Sequence, residues 1–302
     1  MKLFVKLSFI LLTLLAASAP ADAMRIFACE PEWAALANEL GGEDVKVYTA
    51  TSALQDPHHI QARPSLIAKV RNTDLIVATG AQLEIGWLPV LLRQGANPAI
   101  QPGQPGYFEA AGFVTMLEVP TSVDRINGDV HPGGNPHIQT DPRNILSVAA
   151  ALNQRLQQLD SAHAEDYQQR YNNFADRWQA ALLHWQRQAE PLKGVKLIAY
   201  HKGWAYMLNW LGMQEVSTIE PVPGVPPSAA HLAELLAKQK MQPAAMVIYA
   251  AFQDAKASEW LSQRAGIPVV KLAATVGGTD QAGDLFALYD DTIHRLLKAA
   301  GH

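Results

Sequence analysis

The sequence predicts an α/β protein of two lobes joined by one long helix. Three observations carry this. Residues 160–190 place Tyr167, Tyr171, Phe174, Trp178, Leu182 and Trp185 at steps of four, three, four, four and three, one apolar stripe of an unbroken helix. About thirty residues at 1.5 Å each span roughly 45 Å, longer than a small domain is wide. On both sides of it, β-branched apolar runs alternate with helical patterns, the rhythm of α/β layers rather than of an all-α bundle. The chain has 302 residues, enough for two separate cores.

Residues 1–23 read as a secretory leader. Lys2 and Lys6 flank the start of a mostly apolar run over 7–17, and Ala21-Asp22-Ala23 offers a small-x-small cleavage site. The mature chain is expected to begin at Met24 and to work in the periplasm. The apolar run falls short of the about 20 residues that a membrane span needs. Cys29 stands too far beyond that run to take a lipid anchor, so a lipoprotein is not expected. As the only cysteine it has no internal disulfide partner, and its place in Ile26-Phe27-Ala28-Cys29 predicts a buried thiol in a core strand. Charged residues make up 17% of the chain, with a net charge of −4 and a pI near 6.2. Such a balance gives no basic stripe for nucleic acid or for an anionic membrane surface.

Taken in order, the first lobe (24–158) opens with a strand over 24–29 and a helix over 33–40, closed by Gly41-Gly42. A second strand over 45–50 runs into Asp56-Pro57-His58-His59, which places two histidines beyond a strand's carboxyl end, where open α/β sheets put ligands. A helix over 65–70, a buried strand over 74–78 and a helix over 83–93 repeat the unit. After the proline- and glycine-rich connection 98–105, residues 113–117 read as a strand. The stretch 128–142, with His131, His137, Asp129 and Asp141, is too rich in turn formers to be an element. From Pro142 a helix leads to the long bridge (159–191).

The second lobe (192–302) repeats the rhythm. A strand over 195–200 ends at His201, ahead of a helix over 204–211. Next come a strand over 215–219, the stiff loop Glu220-Pro221-Val222-Pro223-Gly224-Val225-Pro226-Pro227, and a helix over 228–240. A strand over 245–249, a helix over 255–264, a last strand over 268–272, the loop 274–284 and a closing helix over 285–299 complete the chain.

Imidazole suits zinc, copper, nickel and iron, whereas manganese prefers carboxylate and water oxygens. Three histidines from three loops on two lobes, with one carboxylate or water, would close a tetrahedral site of the kind that suits Zn(II). His58, His137 and His201 all stand where strands hand over to loops, and two of them follow the same Asp/Asn-Pro-His turn, whose proline fixes the backbone before the ligand. His163, His184, His231, His294 and His302 fall on helices or at the terminus and read as solvated. His59 and His131 are left as partners of the ligands or as ligands.

Asp56-Pro57-His58, Arg63-Pro64-Ser65, Asn135-Pro136-His137 with Asp141-Pro142, and Tyr200-His201 together resemble the metal-binding receptors of zinc and manganese ABC importers. The resemblance covers essentially the whole mature chain. It implies two lobes, each a small parallel sheet flanked by helices, joined by one long rigid helix, with Zn(II) as cargo in the cleft. It implies His58, His137 and His201 as ligands, a histidine at the third place marking the zinc type. Asp280 in the last loop is the implied fourth ligand, with Asp284, Glu220 or water as the other choices. The implied partners are a membrane permease and its ATPase, and the receptor is expected to be a monomer, not an enzyme. Many zinc receptors carry a long histidine-rich loop in the first lobe; here 119–129 is short and holds no histidine. Two other functions stay open: a manganese or iron receptor of the same class, and a secreted zinc hydrolase. Against the hydrolase, the sequence has no His-Glu-x-x-His helix and no Gly-x-Ser-x-Gly turn.

Overall fold

The computed structural model describes residues 22–121 and 131–302; the leader through residue 21 and the segment 122–130, with Asp129, lie outside the described residues. Two four-stranded parallel sheets form the two lobes. β1 (Met24–Ala28), β2 (Val45–Thr49), β3 (Leu75–Ala78) and β4 (Tyr107–Glu109) lie in the order β2-β1-β3-β4. β5 (Lys196–Ala199), β6 (Gln214–Thr218), β7 (Met246–Ala250) and β8 (Val269–Leu272) repeat it as β6-β5-β7-β8. Among the described residues, all six strand pairings are parallel. β3 is apolar and buried throughout, as a strand covered by helices on both faces must be. In each lobe the strand order reverses beside the first strand, so a crevice opens at the carboxyl ends.

The first lobe carries α1 (Pro31–Gly41), α2 (Pro64–Arg71) and α3 (Leu88–Gly95), and the second α6 (Ala205–Leu211), α7 (Ala229–Met241) and α8 (Lys256–Ala265). α4 (Pro142–Leu159), α5 (Ala164–Gln188) and α9 (Leu285–Ala300) pack together at the junction. α5 is the long bridge. Its predicted ends become short 3-10 turns, Ser161–His163 before it and Glu190–Leu192 after it. Tyr167, Phe174, Trp178 and Trp185 are buried as the stripe requires, while Tyr171 and Leu182 flank it half-buried.

α5 grips both lobes. Toward the first, Arg177 pairs with Glu39 on α1 at 2.5 Å, and Arg170 bonds the Gly41 carbonyl and Asp44, each at 2.8 Å. Toward the second, Trp185 Nε1 donates to Asp290 on α9 at 2.6 Å, and the Trp178 ring meets Phe286 and Tyr289 at 4.7 and 5.5 Å. One apolar core therefore runs through both sheets and α5, with a smaller cluster on the outer face of each sheet. Trp178 is fully buried and donates Nε1 to the Pro142 carbonyl at the start of α4. Trp178→Ala is expected to destabilise the chain by about 3–5 kcal/mol in denaturant unfolding; a loss below about 1 kcal/mol would mean that the bridge is not part of the common core.

Two elements differ from the sequence reading. The fourth strand is 107–109, not 113–117. Tyr107 and Phe108 pair with Ile76 and Val77, whereas Phe113 lies on the surface and the Leu117 backbone bonds Tyr206 and Asn135 instead of a sheet. α3 begins at Leu88 rather than Leu83, because Glu84 turns its carboxylate back onto the Thr79 and Gly80 N–H groups at 2.6 and 3.1 Å. Ala81 and Gln82 take positive φ in that turn.

Candidate metal site

His58, His137 and His201 converge between the lobes. His58 stands in the loop after β2, His137 in the loop that leads from β4 to α4, and His201 just past β5. One ring nitrogen from each lies within 4.8 Å of the others, and the ring centroids are 5.3 to 5.7 Å apart. His137 is buried and His58 is 10% exposed at its side chain; Nε2 of both is buried with no hydrogen-bond partner. Two buried ring nitrogens that no protein group satisfies, each within 4.8 Å of the other ligand nitrogens, suit lone-pair donation to a cation.

The Asx-Pro-His sequence explains how two of the rings are aimed. Asp56 Oδ1 accepts the His58 N–H and Asn135 Oδ1 accepts the His137 N–H, each at 3.0 Å, so both loops turn on the same side-chain-to-backbone bond around a proline. Trp87 Nε1 fixes the first loop by donating to the Pro57 carbonyl at 2.9 Å. The second is held by the other lobe: Asn135 Nδ2 donates to the Lys202 carbonyl at 2.9 Å, and Tyr206 O–H to the Asn135 carbonyl at 2.8 Å. Gly203 leaves room between two of the imidazoles, since a Cβ there would sit 3.2 Å from Cδ2 of both His137 and His201.

Carboxylates orient two of the rings. His58 Nδ1 bonds Asp56 at 2.8 Å, and His201 Nδ1 bonds Glu220 at 2.7 Å. Each bond takes the N–H at Nδ1 and presents Nε2 as the lone-pair nitrogen, as carboxylate partners of metal-bound histidines do. Burial drives the His137 imidazole well below its usual range, with the neighbouring His58, His201 and His131 rings acting in the same sense, so it stays neutral and able to donate a lone pair. Burial raises the Asp56 carboxyl, but the His58 side-chain bond, the His58 charge and backbone N–H, and the His59 charge together hold it below its usual range. His58, His201, Asp56 and Glu220 line a cleft of about 180 Å³ that also meets Tyr200, Phe252 and Gln253, a route to the rings edged with negative charge.

The remaining candidates fall elsewhere. Asp280 is exposed and outside the imidazole cluster, because the loop after β8 folds on itself and hangs on α9: Gly277 N–H bonds the Ala282 carbonyl, and Thr279 Oγ1 donates to Asp291. Asp284 caps α9, and Glu220 is committed to His201. The His131 ring lies 5.4 Å from that of His58 without joining the cluster. His184, His294 and His302 are exposed as expected, but His163 is half-buried beside Asp160 at 2.7 Å, and His231 is half-buried too.

A family profile described as "Zinc-uptake complex component A periplasmic" (ZnuA) matches residues 26–299. The chain belongs to the ZnuA family. This ZnuA-family chain is 22% identical over 268 residues to the zinc-binding lipoprotein AdcA of Streptococcus pneumoniae, covering 86% of itself and 52% of AdcA. It is 26% identical over 104 residues to the high-affinity zinc uptake system protein ZnuA of Brucella abortus, covering 34% of itself and 31% of that protein. The chain thus spans about half the length or less of these curated relatives. A crystal structure of ZnuA shares the fold, with a TM-score of 0.74 at 24% identity over 91% of this chain and 100% of that one. Among the described residues, no helix is long and apolar enough to cross a membrane.

Proposed function

We propose that this ZnuA-family chain captures Zn(II) between its lobes and delivers it to an ABC-type membrane importer. His58, His137 and His201 serve as the protein ligands, and water completes the tetrahedron. The observation that carries this is the meeting of three imidazole nitrogens, two of them buried and unpartnered, with Asp56 and Glu220 holding two of the rings from behind. An all-imidazole donor set favours zinc over manganese. The family supports an exported receptor rather than an enzyme. In this reading the leader at 1–23 is removed and Cys29 carries no lipid. Its parts are a first lobe over 24–158, the bridge over 159–191 and a second lobe over 192–302, acting as a monomer that docks on a permease.

Calorimetric titration of the metal-stripped chain against a competing chelator tests this directly. One tight zinc per chain is expected, with manganese far weaker. Affinity should fall at least about tenfold between pH 7.5 and 5, since each imidazole must lose its proton to bind. A flat pH profile, or manganese held as tightly as zinc, would remove the three-histidine site.

Glu220→Gln keeps the shape but weakens the carboxylate behind His201. It should loosen zinc about 10- to 100-fold without unfolding the chain. Unchanged affinity in the same titration would make the Glu220–His201 bond a structural tie only.

A further inference from the structure

Beside the imidazoles lies a second, chemically different pocket. A cavity of about 30 Å³, room for a single ion or water, is lined by Glu30, Glu32, Gln139 and Thr275, with His137 on its wall. Glu30, Glu32 and Gln139 are 3%, 1% and 5% exposed. Each keeps one buried side-chain oxygen, Oε1, that no protein donor reaches. Their other atoms are spoken for. Glu30 Oε2 accepts from Thr79 at 3.1 Å, Glu32 Oε2 from Thr275 at 2.5 Å, and Gln139 Nε2 donates to the Ala274 carbonyl at 3.2 Å, which leaves its oxygen as the free end.

The charge is equally unbalanced. Glu84, also buried, lies within 4.8 Å of Glu30, accepts from two backbone N–H groups and shares a carboxyl–carboxylate hydrogen bond with Glu30. No basic side chain pairs with any of the three glutamates among the ion pairs of the described residues. Buried carboxyls without a cationic partner must hold protons or a metal ion. Cys29 adjoins Glu30, but burial pushes its thiol up, so it supplies no thiolate and the donors are oxygens.

We propose that Glu30, Glu32 and Gln139 form a second cation site, distinct from the imidazole cluster, that takes one hard divalent cation of the magnesium, calcium or manganese class. Two carboxylates neutralise a dication, and carboxylate, amide carbonyl and water oxygens are the donors such ions prefer. Occupancy would also brace the lobes. Glu32 begins α1 in the first lobe and bonds Thr275 beyond β8 in the second, and Gln139 bonds the neighbouring Ala274. The two sites would sort metals by donor: nitrogen for the soft cargo, oxygen for the hard ion.

The test is to load the full chain with one zinc and titrate Mn(II), following free Mn(II) by electron paramagnetic resonance. One manganese should bind with a dissociation constant below about 1 mM, be displaced by excess magnesium or calcium, and leave the zinc in place. Pulsed spectra of the bound ion should lack nitrogen modulation. The double variant Glu30→Gln/Glu32→Gln should lose at least tenfold in manganese affinity and still take one zinc. No manganese bound to the zinc-loaded protein, stoichiometric release of zinc, or nitrogen coupling would each overturn the proposal, and these readouts do not depend on the variant's folding. His201→Ala, titrated in parallel, keeps this question separate from that of zinc capture: it should retain manganese at the oxygen site, and its loss there would also count against the site.

Discussion

His201→Ala is expected to weaken zinc binding by more than about 100-fold while the chain stays folded. The effect is large because three protein nitrogens would become two, and water is a poor substitute for imidazole on zinc. It should spare the fold. His201 sits in a bend beyond β5, and among the described residues its side chain bonds Glu220. Glu220 would keep the Gly224 N–H at 3.0 Å and the solvent at the cleft mouth. A competition titration, with circular dichroism confirming the fold, settles the matter. Affinity within threefold of the parent would show that His201 lies near the metal without binding it.

The contrast among the three histidines shows what was readable in the sequence. His58 and His137 could be found because Asx-Pro-His is a local device; the turn forms from neighbours two residues apart. His201 could be found because it ends an apolar run. The role of Glu220 could not. It follows β6 as His201 follows β5, and the two meet because the ladder runs on past the strands, with Ile219 N–H on the Ala199 carbonyl and Glu220 N–H on that of Tyr200. Strand adjacency is a fact of the folded sheet, invisible in the spacing of nineteen residues.

Asp280 stands apart from the imidazoles for a related reason. A carboxylate in the last loop looks available until the loop's own hydrogen bonds and its tie to Asp291 turn that residue to solvent. The buried glutamates are the clearest case of what a linear reading leaves out. Glu30-Pro31-Glu32 reads as an ordinary acidic helix start, where such residues are normally wet. Its burial is made by Thr275, 243 positions away, and by Gln139. By contrast α5, whose stripe is periodic over its whole length, was legible to within a few residues at each end.

Those glutamates give the metal-free protein an unusual dependence on pH. Burial raises the Glu32 and Glu84 carboxyls from 4.5 to about 7, and pushes Glu30 well above its usual range, with Glu84 and Glu32 adding to the effect. A carboxyl whose folded value exceeds its unfolded one binds a proton more tightly when folded. Its stabilisation is therefore complete below about 4.5 and is lost as the pH rises through about 7. For Glu32 alone the change is on the order of 3 kcal/mol. His137 acts in the opposite sense below 6.5, because its buried ring resists the proton that the unfolded chain accepts. The comparison that isolates the acid is parent against Glu32→Gln, both stripped of metal. From pH 5 to pH 8 the parent should lose several degrees of melting temperature relative to the variant. Parallel melting curves would mean that Glu32 is ionised throughout. In the parent, acid then favours the apo fold through these carboxyls while His137 opposes it below 6.5, and the same acid weakens zinc capture.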